Sequence, residues 1–552
     1  MKNRINYFKN KKNLIIVPHE DDELNLIGGL LNSNYLNKDN TYIAYMTNGD
    51  YNCSVKTRFN EAKKALKMCG IKDENIIFLG YCDQHFSENK HIYMTSKDEI
   101  FESKKQKKET YLTDEENEYA WKKRKKHSKF NKEALINDLE FLIKEYRPDI
   151  IFVNDFDSHP DHRCLSLCFD NAIGRIIKKE SNYYPTVFKG FCYPTEYTGY
   201  EDYDNINLLS TKFRKEINNQ FDYQNPYYEW ERRIRFVVGK DAAHYSLLKN
   251  RLYMCLKKHK SQLLLRKYKS IINSDQIFWQ KETNNLSIKA KISASSGEIK
   301  YLNDCMTFDC ENIMHKEKSY PIYKNASWIP DETDKIKYFK IDFEKSTNIK
   351  DIKLYQNSMS KGKVTDITLE LSNGIKKKYK LENKMCNTIN INLKNKIEWI
   401  KIYVDSREKS DSGFSEIEII PYSNHKIEFI KILIDDNFTN DVYYVNNLNY
   451  KLDIYCYNGN ESLKLNHNKY CYIINENKID YNDLDEYKGK DYVLKVYLKE
   501  NPDIYDEIII KHITNFEKIK FFIKKIINKI VFVSDELILR VQNKIARILG
   551  KI

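Results

Sequence analysis

The sequence predicts an α/β fold, a Rossmann-like doubly wound parallel sheet, followed by β-sandwich domains and a C-terminal amphipathic helix. Three observations carry that expectation. Strand-type runs at 13–18, 41–47, 76–79 and 149–153 alternate with helix-like segments at 22–33, 57–69 and 131–146, the order that builds a parallel sheet through crossover helices. Beyond about residue 285 the pattern changes to short alternating runs typical of half-buried antiparallel strands. From Thr514 onward the apolar positions return to helical spacing.

Each element has its own warrant. Leu14-Ile15-Ile16-Val17 and Ile150-Ile151-Phe152-Val153 are continuous apolar runs, as expected of strands buried on both faces, and each leads into a helix-like segment, 24–31 and 163–178. The tyrosine-rich stretch 183–228 is expected to be irregular and substrate-facing, and 244–271 a long amphipathic helix. Further on, Tyr338-Phe339-Lys340-Ile341-Asp342-Phe343, Ile352-Lys353-Leu354-Tyr355, Ile367-Thr368-Leu369-Glu370-Leu371 and Trp399-Ile400-Lys401-Ile402-Tyr403-Val404 read as strands. Short strand candidates over 425–512 suggest a second small β-sandwich. Thr514-Asn515-Phe516-Glu517 reads as a capping box, and Ile519, Ile523, Ile526, Ile530 and Val533 follow at helical intervals among lysines. The expected domains are 1–285, 286–424, 425–513 and a basic helical tail, 514–552.

Composition bounds the classes. At 552 residues, with 41% hydrophobic content, the chain is too long for one core and rich enough to fill several. Twelve scattered cysteines without a CxxC pair make neither a disulfide framework nor a cysteine zinc site. Residues 1–13 are polar and basic without a signal-peptide core, and no uncharged run reaches the roughly 18 residues of a spanning helix. The expected location is therefore cytoplasmic, peripheral at the inner face of the membrane if the tail binds it. The tail carries nine Lys/Arg against three acids from 515 to 552, a balance suited to an anionic membrane surface; the alternative is a helix docked on the protein's own core or on a second subunit. The net charge of +13 also concentrates at 104–129, where acids interleave; a solvated loop explains this better than a phosphate clamp, and nucleic acid is unlikely for want of a recognition module.

The chemistry lies in two clusters. His19-Glu20-Asp21-Asp22-Glu23 follows the first strand, and His159-Pro160-Asp161-His162 follows the strand at 149–153. Both would lie at carboxyl ends of parallel strands, where open α/β sheets place their ligands. Together they supply two metal-type imidazoles, a ligand carboxylate, a spare carboxylate for base work and a spare histidine for acid work, the inventory of a mononuclear metal hydrolase. Either cluster alone is equally well explained as a helix cap or turn. Asp161, beside His162, is placed to orient an imidazole.

With these residues the chain resembles the PIG-L/LmbE-like zinc-dependent deacetylases, whose opening motif usually reads PHPDDE or AHPDDE; here it is Pro18-His19-Glu20-Asp21-Asp22-Glu23. The HPDH motif is intact at 159–162. Thr47-Asn48-Gly49, Arg58-Phe59-Asn60-Glu61-Ala62, Phe78-Leu79-Gly80-Tyr81-Cys82-Asp83, Lys258-His259-Lys260-Ser261-Gln262 and Phe278-Trp279 are similar to the elements between and after the motifs. The resemblance covers about 10–285. It implies that His19, Asp22 and His162 bind Zn2+, or another divalent metal such as Fe2+. It further implies Asp21 as general base, His159 as acid or oxyanion stabiliser, and Arg58 and Asp83 as sugar contacts. Glu20 departs from the usual proline and adds charge near the metal, and the role of Asp157 is open. Ala326-Ser327-Trp328 and Gly413-Phe414-Ser415-Glu416-Ile417-Glu418-Ile419 resemble the discoidin (F5/8 type C) β-sandwich over about 290–422.

The expected function is removal of the N-acetyl group from an N-acetylglucosamine-type sugar in a glycan, glycolipid or glycoconjugate. The alternatives are an amidase acting on another amide, such as a thiol conjugate, and a catalytically inactive glycan-binding scaffold.

Overall fold

The computed structural model describes residues 6–85, 90–180, 182–193, 195, 203–213, 225–314, 321–423, 426–438, 441–446 and 449–548. The N-terminal unit is a seven-stranded sheet made of β1 (Asn13–Val17), β2 (Thr41–Thr47), β3 (Ile76–Tyr81), β4 (Ile150–Asn154), β5 (Thr186–Gly190), β6 (Ile234–Val237) and β7 (Asp275–Lys281) in the spatial order β3-β2-β1-β4-β5-β7-β6. The first five are mutually parallel, while at the far edge β7 pairs antiparallel with β5 and β6 pairs antiparallel with β7. The sheet is therefore mixed rather than wholly parallel.

Its central strands serve two cores at once. Ile15 and Val17 of β1, with Ile150 and Phe152 of β4, enter one buried cluster; Leu14, Ile16, Ile151 and Val153 enter the cluster on the opposite face. That two-sided burial explains their unbroken apolar runs. Helices α1 (Asp22–Leu31), α2 (Val55–Cys69), α3 (Tyr119–Arg124), α4 (Lys132–Tyr146) and α5 (Pro160–Lys179) supply the covering layers. Ser54 caps α2 by accepting from Thr57 N–H, and Pro160 opens α5 at its first turn, where no backbone donor is needed.

Two expectations fail. The segment 244–271 is not one helix but two short ones, Arg251–Leu256 and Tyr268–Ile271, separated by turns. His259 is pulled fully inside to bond Glu23, and Leu263 adopts the left-handed backbone at φ +51°, so the helical path cannot continue. The stretch 183–228 contains a core strand, β5, although its flanks are irregular where described.

The rest of the chain is β-rich and mostly antiparallel. Two long strands, Tyr338–Gln356 and Cys386–Arg407, pair along their length, with register shifts between Asp342 and Asp351. Before the shifts the first strand pairs with Lys291–Ala294; after them it pairs with Phe414–Pro421. The irregularity lets one strand serve both sides of a core built on Trp328, Phe339, Ile352 and Ile400. A four-stranded and a five-stranded sheet follow, with Ile430, Ile432 and Ile434 facing Leu494, Val496 and Ile510 in their shared core. The alternate residues Phe429 and Leu433 join the core of the N-terminal unit instead. The chain closes on the 34-residue helix Asn515–Ile548.

Candidate active site

Strands β1 and β4 are neighbours at the point where the sheet order reverses, and both histidine clusters leave from their carboxyl ends. The turn after β1 is pinned by Thr47, whose backbone N–H and hydroxyl both donate to Pro18 O (2.9 and 3.1 Å). This leaves three ligand-type atoms facing one another. His19 Nδ1 is 3.0 Å from Asp22 Oδ2, His162 Nε2 is 3.1 Å from the same oxygen, and the two ring nitrogens are 3.3 Å apart.

The opposite nitrogen of each ring is committed elsewhere. His19 Nε2 lies 3.0 Å from Asp161 Oδ2, and His162 Nδ1 lies 2.8 Å from Asp157 Oδ2. With protons on those nitrogens, His19 Nδ1 and His162 Nε2 turn lone pairs toward the Asp22 carboxylate, so the centre demands a cation. Burial opposes charge on both rings. The carboxylates nevertheless win: Asp83, Asp161 and Asp22 raise His19 well above the usual range, and Asp157 and Asp22 lift His162 to about 9. Asp22 itself, though buried, is held well below the ordinary carboxylate range by His162 and His19.

Asp157 thus has a clear position. It accepts from His162 Nδ1, from the backbone N–H of His159 (3.0 Å) and from that of Tyr193 (3.0 Å). Asp161 is equally committed, accepting from His19, from His91 Nε2 (2.9 Å) and from the backbone N–H of Gln84 (2.9 Å). Of the residues expected in catalytic roles, Asp161 is the one placed against imidazoles, His19 and His91, as a partner. Its side chain is wholly inaccessible and positions His19.

Asp21 and His159 keep some exposure, whereas Asp161 has none. Asp21 is 14% exposed and has φ +145°, a conformation rare outside glycine that is held by its N–H donating to Glu23 Oε2 (2.9 Å). The other oxygen of Glu23 accepts from His259 Nε2 (2.8 Å). Burial raises the pKa of Asp21 although Arg58 opposes this. His159 Nδ1 accepts from Asp161 N–H (3.2 Å), which places its proton on Nε2. Burial, together with His19 and His162, keeps that imidazole neutral, well below its ordinary pKa.

Arg58 is buried beneath the motif turn, donating to Glu20 O (2.8 Å) and Asp21 Oδ1 (3.3 Å). Asp83 reaches within 3.4 Å of His19 Nε2 and is 13% exposed. Glu20, fully buried, turns its carboxyl toward Arg58 Nε (3.5 Å) and against Gly49. Burial raises it to about 7, so about half of its added negative charge is suppressed at pH 7.

Ligand-type atoms also converge within 4.8 Å in two further sets, His19 with His159 and His162, and His19 with Asp83 and Asp161. The second is the weaker metal candidate because Asp161 already receives three donors. Sequence reasoning missed His91, which has no motif around it, and Tyr193, whose ring packs edge-on against His162 (centroids 4.5 Å apart) with Lys267 4.8 Å from its own centroid. The segment 104–129 is tied to the site's edge through Tyr111, whose hydroxyl donates to Asp50; Asp50 in turn accepts from Asp83 N–H (3.0 Å).

Residues 14–173 match the family model PIG-L, described as GlcNAc-PI de-N-acetylase. No curated protein matches the chain. Among solved structures it is similar to a Streptococcus pneumoniae fucose binding module, at 14% identity over 25% of this chain and 98% of that one, with a TM-score of 0.19. It is also similar to the family 32 CBM from C. perfringens NanJ in complex with galactose, at 14% identity over 24% and 95%, again at 0.19.

Proposed function

We propose, from the premise that residues 14–173 are a PIG-L domain, that this protein is a metal-dependent hydrolase. Its proposed reaction removes the N-acetyl group from an N-acetylglucosamine-type sugar in a glycan, glycolipid or glycoconjugate. The observation that carries the proposal is the convergence of His19 Nδ1, Asp22 Oδ2 and His162 Nε2 at 3.0–3.3 Å beside Asp21 and His159. Ligand bonds of about 2.0–2.1 Å in a tetrahedral centre put ligand atoms about 3.3–3.4 Å apart, so the set fits zinc with slight relaxation. Fe2+ is an alternative occupant of the same ligands. Bound there, the metal supplies Lewis acidity toward an amide carbonyl and acidifies water at the site.

The chain's own groups divide the remaining work. Asp21 takes the proton of the attacking water as the new carbon–oxygen bond forms. His159 donates its Nε2–H to the carbonyl oxygen as charge gathers there. Because that imidazole is neutral, its part is a hydrogen bond rather than proton donation. The proton held by Asp21 then passes to the departing nitrogen as the carbon–nitrogen bond breaks, releasing acetate and an amine. Arg58 keeps Asp21 aimed and ionised, Glu23 fixes its backbone, and Asp83 faces the mouth as an acceptor for a sugar hydroxyl. The cytoplasmic setting we assign rests on the cysteine spacing of the sequence, which makes no disulfide framework.

Asp21→Asn tests the division of labour. The variant should bind zinc as tightly as the wild type yet lose about 10²–10⁴-fold in turnover. Turnover within a few-fold of the wild type would remove Asp21 from the base role.

A further inference from the structure

The helix Asn515–Ile548 is docked by one stripe and left open on the opposite one. On the inner side Asn528 accepts from Leu247 N–H (3.0 Å) and donates to Tyr245 O (2.9 Å). Asp535 accepts from Tyr253 OH (3.0 Å) and Lys257 Nζ (2.7 Å), Arg266 Nε pairs with Glu536 (2.7 Å), and Leu539 is buried. These polar bonds fix the helix's rotation about its axis. The outer face is then apolar by construction: Phe516, Ile519, Phe522, Ile530, Leu537 and Ile548 are 59–75% exposed. With 1.5 Å rise per residue this stripe runs about 50 Å, interrupted by Ser534 and Lys544.

What would cover it is written in the charges. At 100° per residue, Lys518, Lys525, Lys529, Arg540 and Arg547 line one flank of the stripe and Lys520 the other, all of them exposed. The helix's three acids lie off the outer face: Glu517 caps the first turn by accepting from Thr514 N–H (2.9 Å), Asp535 is bound to inner-side groups, and Glu536 bridges Arg266 to Arg540 (2.7 and 2.8 Å), leaving the flank lysines without an acid on the helix's outer side. A second copy packed on this face would bring lysines against lysines. No described helix is long and apolar enough to cross a membrane.

We propose that this outer face lies in the plane of an anionic lipid bilayer, with the apolar stripe in the acyl boundary and the flanking bases among the headgroups. The helix is seated on the segment that also carries His259, which holds Glu23, and Lys267, which stands over Tyr193. Phe532 packs on Tyr268 (centroids 5.1 Å apart). Docking would therefore bring the site's wall to within about one helix diameter, roughly 10 Å, of the surface. That consequence for catalysis rests on the deacetylase reading, whereas the docking itself does not.

The test is co-sedimentation of the full chain with vesicles of phosphatidylcholine alone and of phosphatidylcholine with phosphatidylglycerol, read beside light scattering without lipid. The wild type should bind the anionic vesicles at least tenfold more tightly than the neutral ones. The combined Lys518→Gln, Lys525→Gln, Lys529→Gln variant should lose about fivefold per lysine. Ile519→Glu with Ile530→Glu, both at exposed positions, should abolish binding while circular dichroism and zinc content stay unchanged. Absence of binding to anionic vesicles, or binding indifferent to the glutamate pair, overturns the proposal. A dimer that the glutamate pair dissolves, without vesicle binding, assigns the face to a second copy and overturns it equally.

Discussion

Replacing Asp157 by asparagine separates metal holding from catalysis. The side chain keeps its size but loses its charge, and its amide nitrogen must now face either the His159 N–H or both His162 Nδ1 and the Tyr193 N–H, so the charged acceptor at His162 is lost in either orientation. The bond to His162, at 2.8 Å, is charge-assisted, a class worth about 1.5–3 kcal/mol. Its loss corresponds to about 10- to 150-fold in metal affinity, in line with the roughly 10–100-fold cost of removing such ligand partners elsewhere. The pH at which this is measured matters. Asp157 favours a proton on His162 as well as a metal, and without metal that histidine titrates at about 9. Below that pH the wild type must first shed the proton, so its affinity climbs as pH rises toward 9. The variant's histidine titrates lower and carries less of this penalty. The deficit should accordingly be full above about pH 9 and shrink toward pH 7. Zinc competition against a chromophoric chelator across that range is the assay. Equal affinity at every pH, or a deficit independent of pH, would refute the tautomer reasoning.

Glu20 and Gly49 give two stability tests. Because burial raises Glu20 from 4.5 to about 7, the folded state holds its proton more tightly than the unfolded chain. Stability from this group is full below about pH 4.5 and is lost as pH rises to 7, a change of about 3 kcal/mol. Glu20→Gln should remove most of that loss, so its stability relative to the wild type in urea should rise by about 2–3 kcal/mol from pH 5 to pH 8; a constant difference would show that Glu20 does not titrate in this window. Gly49 has φ +64°, and a methyl group there would stand 2.5 Å from Glu20 Oε2 and 2.9 Å from Arg58 Cγ. Gly49→Ala should cost about 1–3 kcal/mol and lower turnover through Arg58 and Asp21; an unchanged unfolding midpoint would contradict the packing described.

How much of this was legible depended on whether the information was local. The runs 14–17 and 150–153 announced buried strands because each must be apolar on both faces. The sheet then did what parallel sheets do, bringing residues 140 apart in sequence to one edge. The antiparallel strands β6 and β7 carried no such signal: Ile234–Val237 is only four residues long, and Asp275–Lys281 mixes polar and apolar side chains. The failure at 244–271 has the same root. Its periodicity was helical, but the tertiary bond from His259 to Glu23 overrode it. Asp157 and His91 were visible as residues but not as partners, since their roles exist only through Asp161, His162 and the fold that gathers them. Glu20 reads in sequence as added charge near a metal; burial turns it into a group that titrates near neutrality, against Gly49 and Arg58.

The most direct test of the central claim is acetate release from N-acetylglucosamine compounds, free, nucleotide-linked and lipid-linked, with free amine counted alongside. The zinc-loaded wild type should release the two in equal amounts, with loss on chelation, recovery on adding zinc back, and none from Asp22→Ala. A folded protein that holds zinc through His19, Asp22 and His162 yet yields no acetate from any of these compounds would contradict it.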